Sequence, residues 1–206
     1  MNSPTFPKSD PAGPEFWDLR YEAGFVPWDA GRVPADFARF LARQPPASAL
    51  VPGCGSGHEV RALAERGWSV LGIDFSAEAI AAARPVLGPW QDRLRQADFF
   101  APLPGSPFDL VYERAFLCAL PRRSWEAWAQ RMGEVVVPGG LLAGFFFIAP
   151  GERGPPFPLH DDAELAALLG ARFERIEDRA ASDSIAVFAG HERWQVWRRR
   201  ADAKAA

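Results

Sequence analysis

Two cysteines and three histidines are too few, and too scattered, for the structural roles those residues most often play. Cys54 and Cys118 cannot frame a disulfide-stapled fold, so a reducing, cytoplasmic compartment is expected. His58, His160 and His191 lack ligand spacing, and no metal site is expected. Cys54 sits inside a glycine loop with no nearby base, and Cys118 follows an apolar run, so both read as packing residues. Long apolar stretches are missing too. The longest, Leu141 to Pro150, is broken by glycine and falls well short of the roughly 20 residues that cross a bilayer. No basic segment precedes an apolar one near the start, so no secretory signal is expected. A net charge of −3 gives no footprint for nucleic acid, and Arg198-Arg199-Arg200 reads as a solvated charge run.

What remains is the composition of an ordinary globular chain. Its 206 residues, 48 % hydrophobic and 24 % charged, suffice for one α/β domain with a substantial core. Residues 1–14 hold four prolines and few apolar groups, and are expected to form a flexible tail. Residues 15–200 are expected to form a single domain, with 15–45 as an N-terminal lid and helices, and 201–206 as a second flexible tail. No internal repeat is visible, and the sequence leaves the oligomeric state open, a monomer being compatible with it.

From residue 34 the pattern alternates between helix and strand. Phe37, Phe40 and Leu41 mark a helix over Pro34–Arg43. Strands are predicted at 47–52, 68–74, 93–98 and 108–113, with a helix at 58–66 between the first two. Ser76 caps a helix that Pro85 helps to end. Trp125, Trp128, Ala129 and Met132 share one face of another helix, so these tryptophans read as core. Pro138-Gly-Gly140 turns into a strand over Leu141–Ala149, and Asp161–Leu169 is a helix stopped by Gly170. Two or three further strands are expected around Phe173–Ile176, Ile185–Phe188 and Trp194–Trp197. Such βαβ alternation implies a mostly parallel sheet with helices on both faces. Ligands then bind beyond the carboxyl ends of the strands, which gathers Gly53, Asp74, Asp98 and Glu113-Arg114 around one crevice.

The chemistry is concentrated in Ala49-Leu-Val-Pro-Gly-Cys-Gly-Ser-Gly-His58 and Val70-Leu-Gly-Ile-Asp74. Glycines let backbone pass close beneath a ligand, and a carboxylate about 20 residues further on can accept both ribose hydroxyls of an adenosine cofactor. Nicotinamide and flavin sites usually place a pyrophosphate at the following helix N-terminus. Here Glu59 stands near that end and would repel it. S-adenosylmethionine carries no phosphate and bears a sulfonium cation, so the loop fits that cofactor better.

Four segments then occur in a telling order: Phe16-Trp-Asp-Leu-Arg-Tyr-Glu-Ala-Gly-Phe-Val-Pro-Trp28, Val51-Pro-Gly-Cys-Gly-Ser-Gly57, Phe108-Asp-Leu-Val-Tyr-Glu-Arg-Ala-Phe-Leu-Cys-Ala-Leu120 and Gly154-Pro-Pro-Phe-Pro158. Together they resemble the thiopurine S-methyltransferase family, including its bacterial members and the related plant thiol and halide methyltransferases, over roughly residues 15–200. The resemblance implies a Rossmann-like α/β fold, a seven-stranded mostly parallel sheet with its last strand antiparallel. It implies S-adenosylmethionine as methyl donor, S-adenosylhomocysteine as product, and a small-molecule substrate with a thiol or related chalcogen nucleophile. Trp17, Tyr21 and Trp28 would cover cofactor and substrate, Gly53 and Gly55 pass under the methionine portion, and Asp74 hold the ribose. Asp98 and Phe99 would flank the adenine, and Arg114 would stand close to cofactor and substrate as the catalytic candidate. Two departures bear on substrate. Only Arg84–Arg95 bridges strands two and three, where mammalian thiopurine enzymes carry a longer insertion, which argues against purine recognition. The plant halide branch tends to have tyrosine in place of Arg114, which favours sulfur.

Each residue also has a plainer reading. The head aromatics can be ordinary core, Asp74 a solvated strand end, Asp98 a loop cap, and Arg114 an ion-pair partner of Glu113 or Asp109. Halide, thiocyanate, or an oxygen or nitrogen centre (with Glu113 or Asp98 as base) are alternative acceptors. A non-catalytic cofactor-binding module and a nicotinamide oxidoreductase are the remaining alternatives.

Overall fold

A computed structural model describes residues 4–201, so the tail expectations at 1–3 and 202–206 lie outside it. Seven strands form one sheet: β1 (Ser48–Pro52), β2 (Ser69–Asp74), β3 (Leu94–Gln96), β4 (Phe108–Arg114), β5 (Val136–Phe147), β6 (Phe173–Ala180) and β7 (Glu192–Arg199). Their order is β3-β2-β1-β4-β5-β7-β6. The first five pair in parallel, and β7 runs antiparallel to both neighbours, β5 and β6. Chain order reverses between β1 and β4, so the crevice for a ligand opens beyond their carboxyl ends.

Helices α1 (Pro14–Glu22), α2 (Ala35–Leu41), α3 (His58–Glu65), α4 (Ala77–Leu87), α5 (Trp125–Val135) and α6 (Asp162–Leu169) complete the layers. Ser76 and Asp161 cap α4 and α6, accepting from the amides of Ala79 and Glu164. Period-two alternation sorts the strands' side chains onto two faces. Leu50, Val111, Leu142 and Phe146 join Trp128 of α5 and Leu165 of α6 on one side. Val51, Tyr112, Phe145 and Trp194 join Phe37 of α2 and Leu63 of α3 on the other. Burying one such large apolar side chain contributes about 1.5–3 kcal/mol, which is why strands covered on both faces read as continuous apolar runs.

Three local expectations are corrected. Pro85 does not end α4. It lies within the final turn, where Leu87 is fully buried and holds the chain in the helix until Gly88. Pro138-Gly-Gly140 is a bulge inside β5 rather than a turn before it, since Phe108 pairs with Val136 and Leu110 already pairs with Leu141. Ile185–Phe188 is no strand but part of a turn, closed by Phe188 N–H on the Ile185 carbonyl. Val187 and Phe188 instead line a cavity at the carboxyl ends of the central strands, with Phe188 2 % exposed.

The end of β4 is built under tension. Ala115 adopts a left-handed φ of 56°, which costs a non-glycine residue about 1–2 kcal/mol. Glu113 offsets this by accepting from the Phe116 and Leu117 amides, at 3.1 and 3.2 Å. Burial pushes the Glu113 carboxyl up to about 8 from an ordinary 4.5. A raised folded-state pKa means stability present in full below the unfolded value and lost as pH rises through the folded one. The unfolding free energy measured in denaturant should therefore fall by about 1 kcal/mol per pH unit between about pH 6 and 8. Glu113→Gln, which keeps an acceptor but cannot ionise, should remove most of that slope, and an unchanged slope would locate it elsewhere. Gly144, in mid-β5, has no room for a side chain, because a Cβ would lie 2.0 Å from the Glu113 carbonyl oxygen. Gly144→Ala should destabilise the domain by about 1–3 kcal/mol in urea unfolding; a wild-type midpoint would contradict the close approach.

Candidate active site

The loop between β1 and α3 forms the floor of a cavity of about 500 Å³. Gly53 and Gly55 sit at φ 57° and 50°, a conformation that glycine adopts without steric penalty. A Cβ at Gly53 would meet the Phe116 ring at 2.6 Å, and one at Gly55 the Tyr21 hydroxyl at 2.7 Å. Asp74, at the end of β2, accepts from Gly55 N–H at 3.1 Å and Ser76 N–H at 3.0 Å. It is 8 % exposed, and burial pushes its carboxyl up to about 6 against those two hydrogen bonds. It is no solvated strand end.

The head folds over this floor. Trp17 meets Trp28 edge to face with ring centroids 5.4 Å apart, and Tyr21 meets Trp28 at 6.0 Å. Trp17 Nε1 donates to the Pro11 carbonyl, and Trp28 Nε1 reaches the Tyr21 hydroxyl at 3.5 Å. Burial keeps the Tyr21 phenol protonated. Residues 4–13 hold no helix or strand, yet Asp10 pairs with Arg123 and Phe6 rests against Phe25 at 5.7 Å. Within one segment the aromatics pack on each other and line the cavity together.

Arg114 leaves the end of β4 for the same cavity. Its side chain is 9 % exposed, its guanidinium lies 5.1 Å over the Phe145 ring, and its Nε has no hydrogen-bond partner. The carboxylate nearest it is Glu59 of α3, at 3.8 Å, rather than Glu113 or Asp109. Glu113 is engaged by the turn amides, and Asp109 by the amide and hydroxyl of Ser48.

Trp17, Tyr21, Trp28, Gly53, Gly55, Asp74 and Arg114 thus line one cavity, while Asp98 and Phe99 do not. β3 stops at Gln96, and the chain then turns, with Asp98 accepting from the Phe100 amide. Phe99 is buried against Phe116, 5.2 Å away, as part of the core. Two polar residues missed in the sequence fasten the head. Asp18 accepts from Ser76 Oγ at 2.6 Å and Glu78 N–H at 3.2 Å, tying α1 to the start of α4. Asp29 accepts from Ser56 Oγ and faces His58 Nε2 at 3.5 Å, so its carboxyl is held low and the His58 imidazole is raised. A carboxylate next to Trp28 in a head of aromatics was the available signal. Cys54 and Cys118 are buried with their thiols pushed well up, which leaves neither as a nucleophile.

Known proteins match this assembly along nearly its whole length. The family model described as thiopurine S-methyltransferase matches residues 12–201. A probable thiol methyltransferase 2 of Arabidopsis thaliana is 32 % identical over 167 residues, covering 78 % of this chain and 74 % of that protein. Thiocyanate methyltransferase 1 of Brassica oleracea is 30 % identical, covering 89 % of this chain and 84 % of that one. Among solved structures, a Burkholderia thailandensis 1,6-didemethyltoxoflavin-N1-methyltransferase with bound 1,6-didemethyltoxoflavin and S-adenosylhomocysteine shares the fold, with a TM-score of 0.71 at 18 % identity over 97 % of this chain and 93 % of that one. With the glycine floor, the buried strand-end carboxylate and these matches together, the chain belongs to the thiopurine S-methyltransferase family and is an S-adenosylmethionine-dependent methyltransferase.

Proposed function

We propose that this chain methylates the sulfur of a small thiol or related chalcogen compound. The observation that carries this reading is Arg114, a buried guanidinium lining the cavity with an unpartnered Nε–H. An unsatisfied buried donor costs about 1–3 kcal/mol, which an anion held against it would recover. A thiolate is such an anion, and with a pKa near about 8.5 it forms readily near neutrality. Oxygen and nitrogen nucleophiles need a stronger base, and the two considered from sequence lie elsewhere: Asp98 outside the cavity, Glu113 on its turn amides.

When bound, S-adenosylmethionine supplies the activated methyl and its own leaving group. The chain's residues position, desolvate and stabilise. Asp74 accepts from the ribose hydroxyls with the lone pairs left by Gly55 and Ser76. The Gly53–Gly55 backbone passes under the methionine portion. Trp17, Tyr21 and Trp28 turn aromatic faces and edges to the site, and a face towards the sulfonium is worth about 0.5–2 kcal/mol where water is excluded. Arg114 holds the nucleophile and lowers its pKa. The N-terminal segment, residues 15–45, acts as the lid of a single domain spanning 15–200, working in the cytoplasm. Thiocyanate or halide is the second reading, supported by the same unpartnered donor and by the name of the Brassica relative.

Labelled methyl transfer across alkyl thiols, aryl thiols, iodide and thiocyanate tests the acceptor. Thiols should turn over fastest; turnover of iodide or thiocyanate alone would replace the thiol reading with the second. Asp74→Ala should weaken S-adenosylhomocysteine binding at least about tenfold in calorimetry, since hydrogen bonds to a charged group contribute about 1.5–3 kcal/mol each. A folded variant of unchanged affinity would remove Asp74 from the cofactor site.

A further inference from the structure

Among the described residues, Glu59 is the carboxylate of the cavity wall with no role so far. It is the second residue of α3, lines the cavity, and its side chain is 14 % exposed. Its Oε1 lies 3.8 Å from Arg114 and 3.5 Å from the Tyr112 hydroxyl, at the outer reach of an ion pair and a hydrogen bond. The other titratable groups around it are differently engaged. Tyr112 on β4 and Cys54 in the loop are fully buried and held protonated. His58 beside it on α3 and Asp29 from the head face each other. Asp74 accepts from two backbone amides. Glu59 is thus the carboxylate placed to exchange a proton beside the Arg114 guanidinium.

We propose that Glu59 is a catalytic residue, the acceptor of the proton from an incoming thiol; this rests on the thiol reading above. The S–H bond breaks with its electron pair left on sulfur, and the proton passes to a Glu59 oxygen. The thiolate replaces the Glu59 carboxylate as the anion facing Arg114, so the net charge of the site does not change. The sulfur pair then bonds to the cofactor's methyl carbon as the bond from that carbon to the sulfonium breaks, its electrons staying on the cofactor sulfur. Glu59 releases its proton to water as products leave. Burial raises the Glu59 carboxyl above its ordinary range, which makes it a better acceptor.

Magnitudes confine the device to thiols. A thiol of pKa about 8.5 is roughly 3 % ionised at pH 7, so a base at the site can raise the reactive fraction by at most about 30-fold. An alcohol is nearly as weak an acid as water, at about 15.7, too far from a carboxylate for useful transfer.

The test compares an alkyl thiol with an aryl thiol already ionised at pH 7, which has no proton to give. In Glu59→Gln the ratio of alkyl to aryl turnover should fall about tenfold. Infrared difference spectra of the alkyl thiol binding to the wild-type complex with S-adenosylhomocysteine should show a protonated carboxyl that Glu59→Gln lacks. An unchanged ratio, equal loss on both thiols, or no such band in the wild type would each overturn the assignment. Should Glu59→Gln fail to fold, the wild-type spectrum decides alone. Failure of the underlying reading looks different, because the wild type would then bind cofactor yet methylate neither thiol.

Discussion

The site depends on one buried carboxylate that holds two loops at once. Asp74 ends β2 and gives one oxygen to the amide of Gly55, in the loop after β1, and the other to the amide of Ser76, at the start of α4. Each carboxylate oxygen can accept twice, so one acceptor position per oxygen remains after these bonds. Two amides do not fully compensate the loss of water, which is why the carboxyl stays pushed up to about 6. A pair of donors from a ligand would complete its shell. The same interaction that fixes the glycine floor therefore leaves the site short of donors, and the fold and the two free acceptor positions have a common origin.

The head is fastened on either side of that carboxylate. Asp18 grips Ser76 and Glu78 of α4, while Asp29 grips Ser56 and faces His58 of the glycine loop. Between these two points the aromatic cluster of Trp17, Tyr21 and Trp28 spans the cavity. Packing and ligand contact are often weighed as alternatives for such residues. Here edge-to-face stacking fixes the rings in place, and a ring held by its neighbours needs less ordering when a ligand arrives.

Much of this was legible because it rests on local rules. Strand-loop-helix spacing located the glycine floor and Asp74, and short apolar runs placed β1, β2, β4 and β7. The misses have physical causes. Pro85 was read by its intrinsic dislike of helix, but the burial of Leu87 outweighs it. Ile185–Phe188 is an unbroken apolar run like a buried strand, yet Val187 and Phe188 line the cavity instead of pairing. Asp98 sits at the expected distance beyond β2, but β3 stops two residues short of it and its carboxylate turns to the Phe100 amide. Asp18, Asp29 and Glu59 went unassigned because their partners are remote in sequence, and a carboxylate's neighbours across 27 to 60 residues leave no periodic trace.

Arg114 and Glu59 carry the argument from architecture to chemistry. A bidentate, hydrogen-bonded arginine–carboxylate pair would be saturated and inert. At 3.8 Å, with the buried guanidinium Nε unpartnered, the pair instead neutralises the site without saturating the guanidinium. Such a site tolerates an anion only if it arrives with a proton to give up, or displaces the carboxylate's charge by its own affinity for the guanidinium. Neutral thiols meet the first condition, and weakly hydrated anions such as thiocyanate and iodide are better suited to the second than strongly hydrated ones. Under the proposed reading, one loosely closed ion pair, set between a glycine loop and the end of β4, would admit a protonated thiol by the first route and a weakly hydrated anion by the second, with the balance set by how readily Glu59 takes a proton.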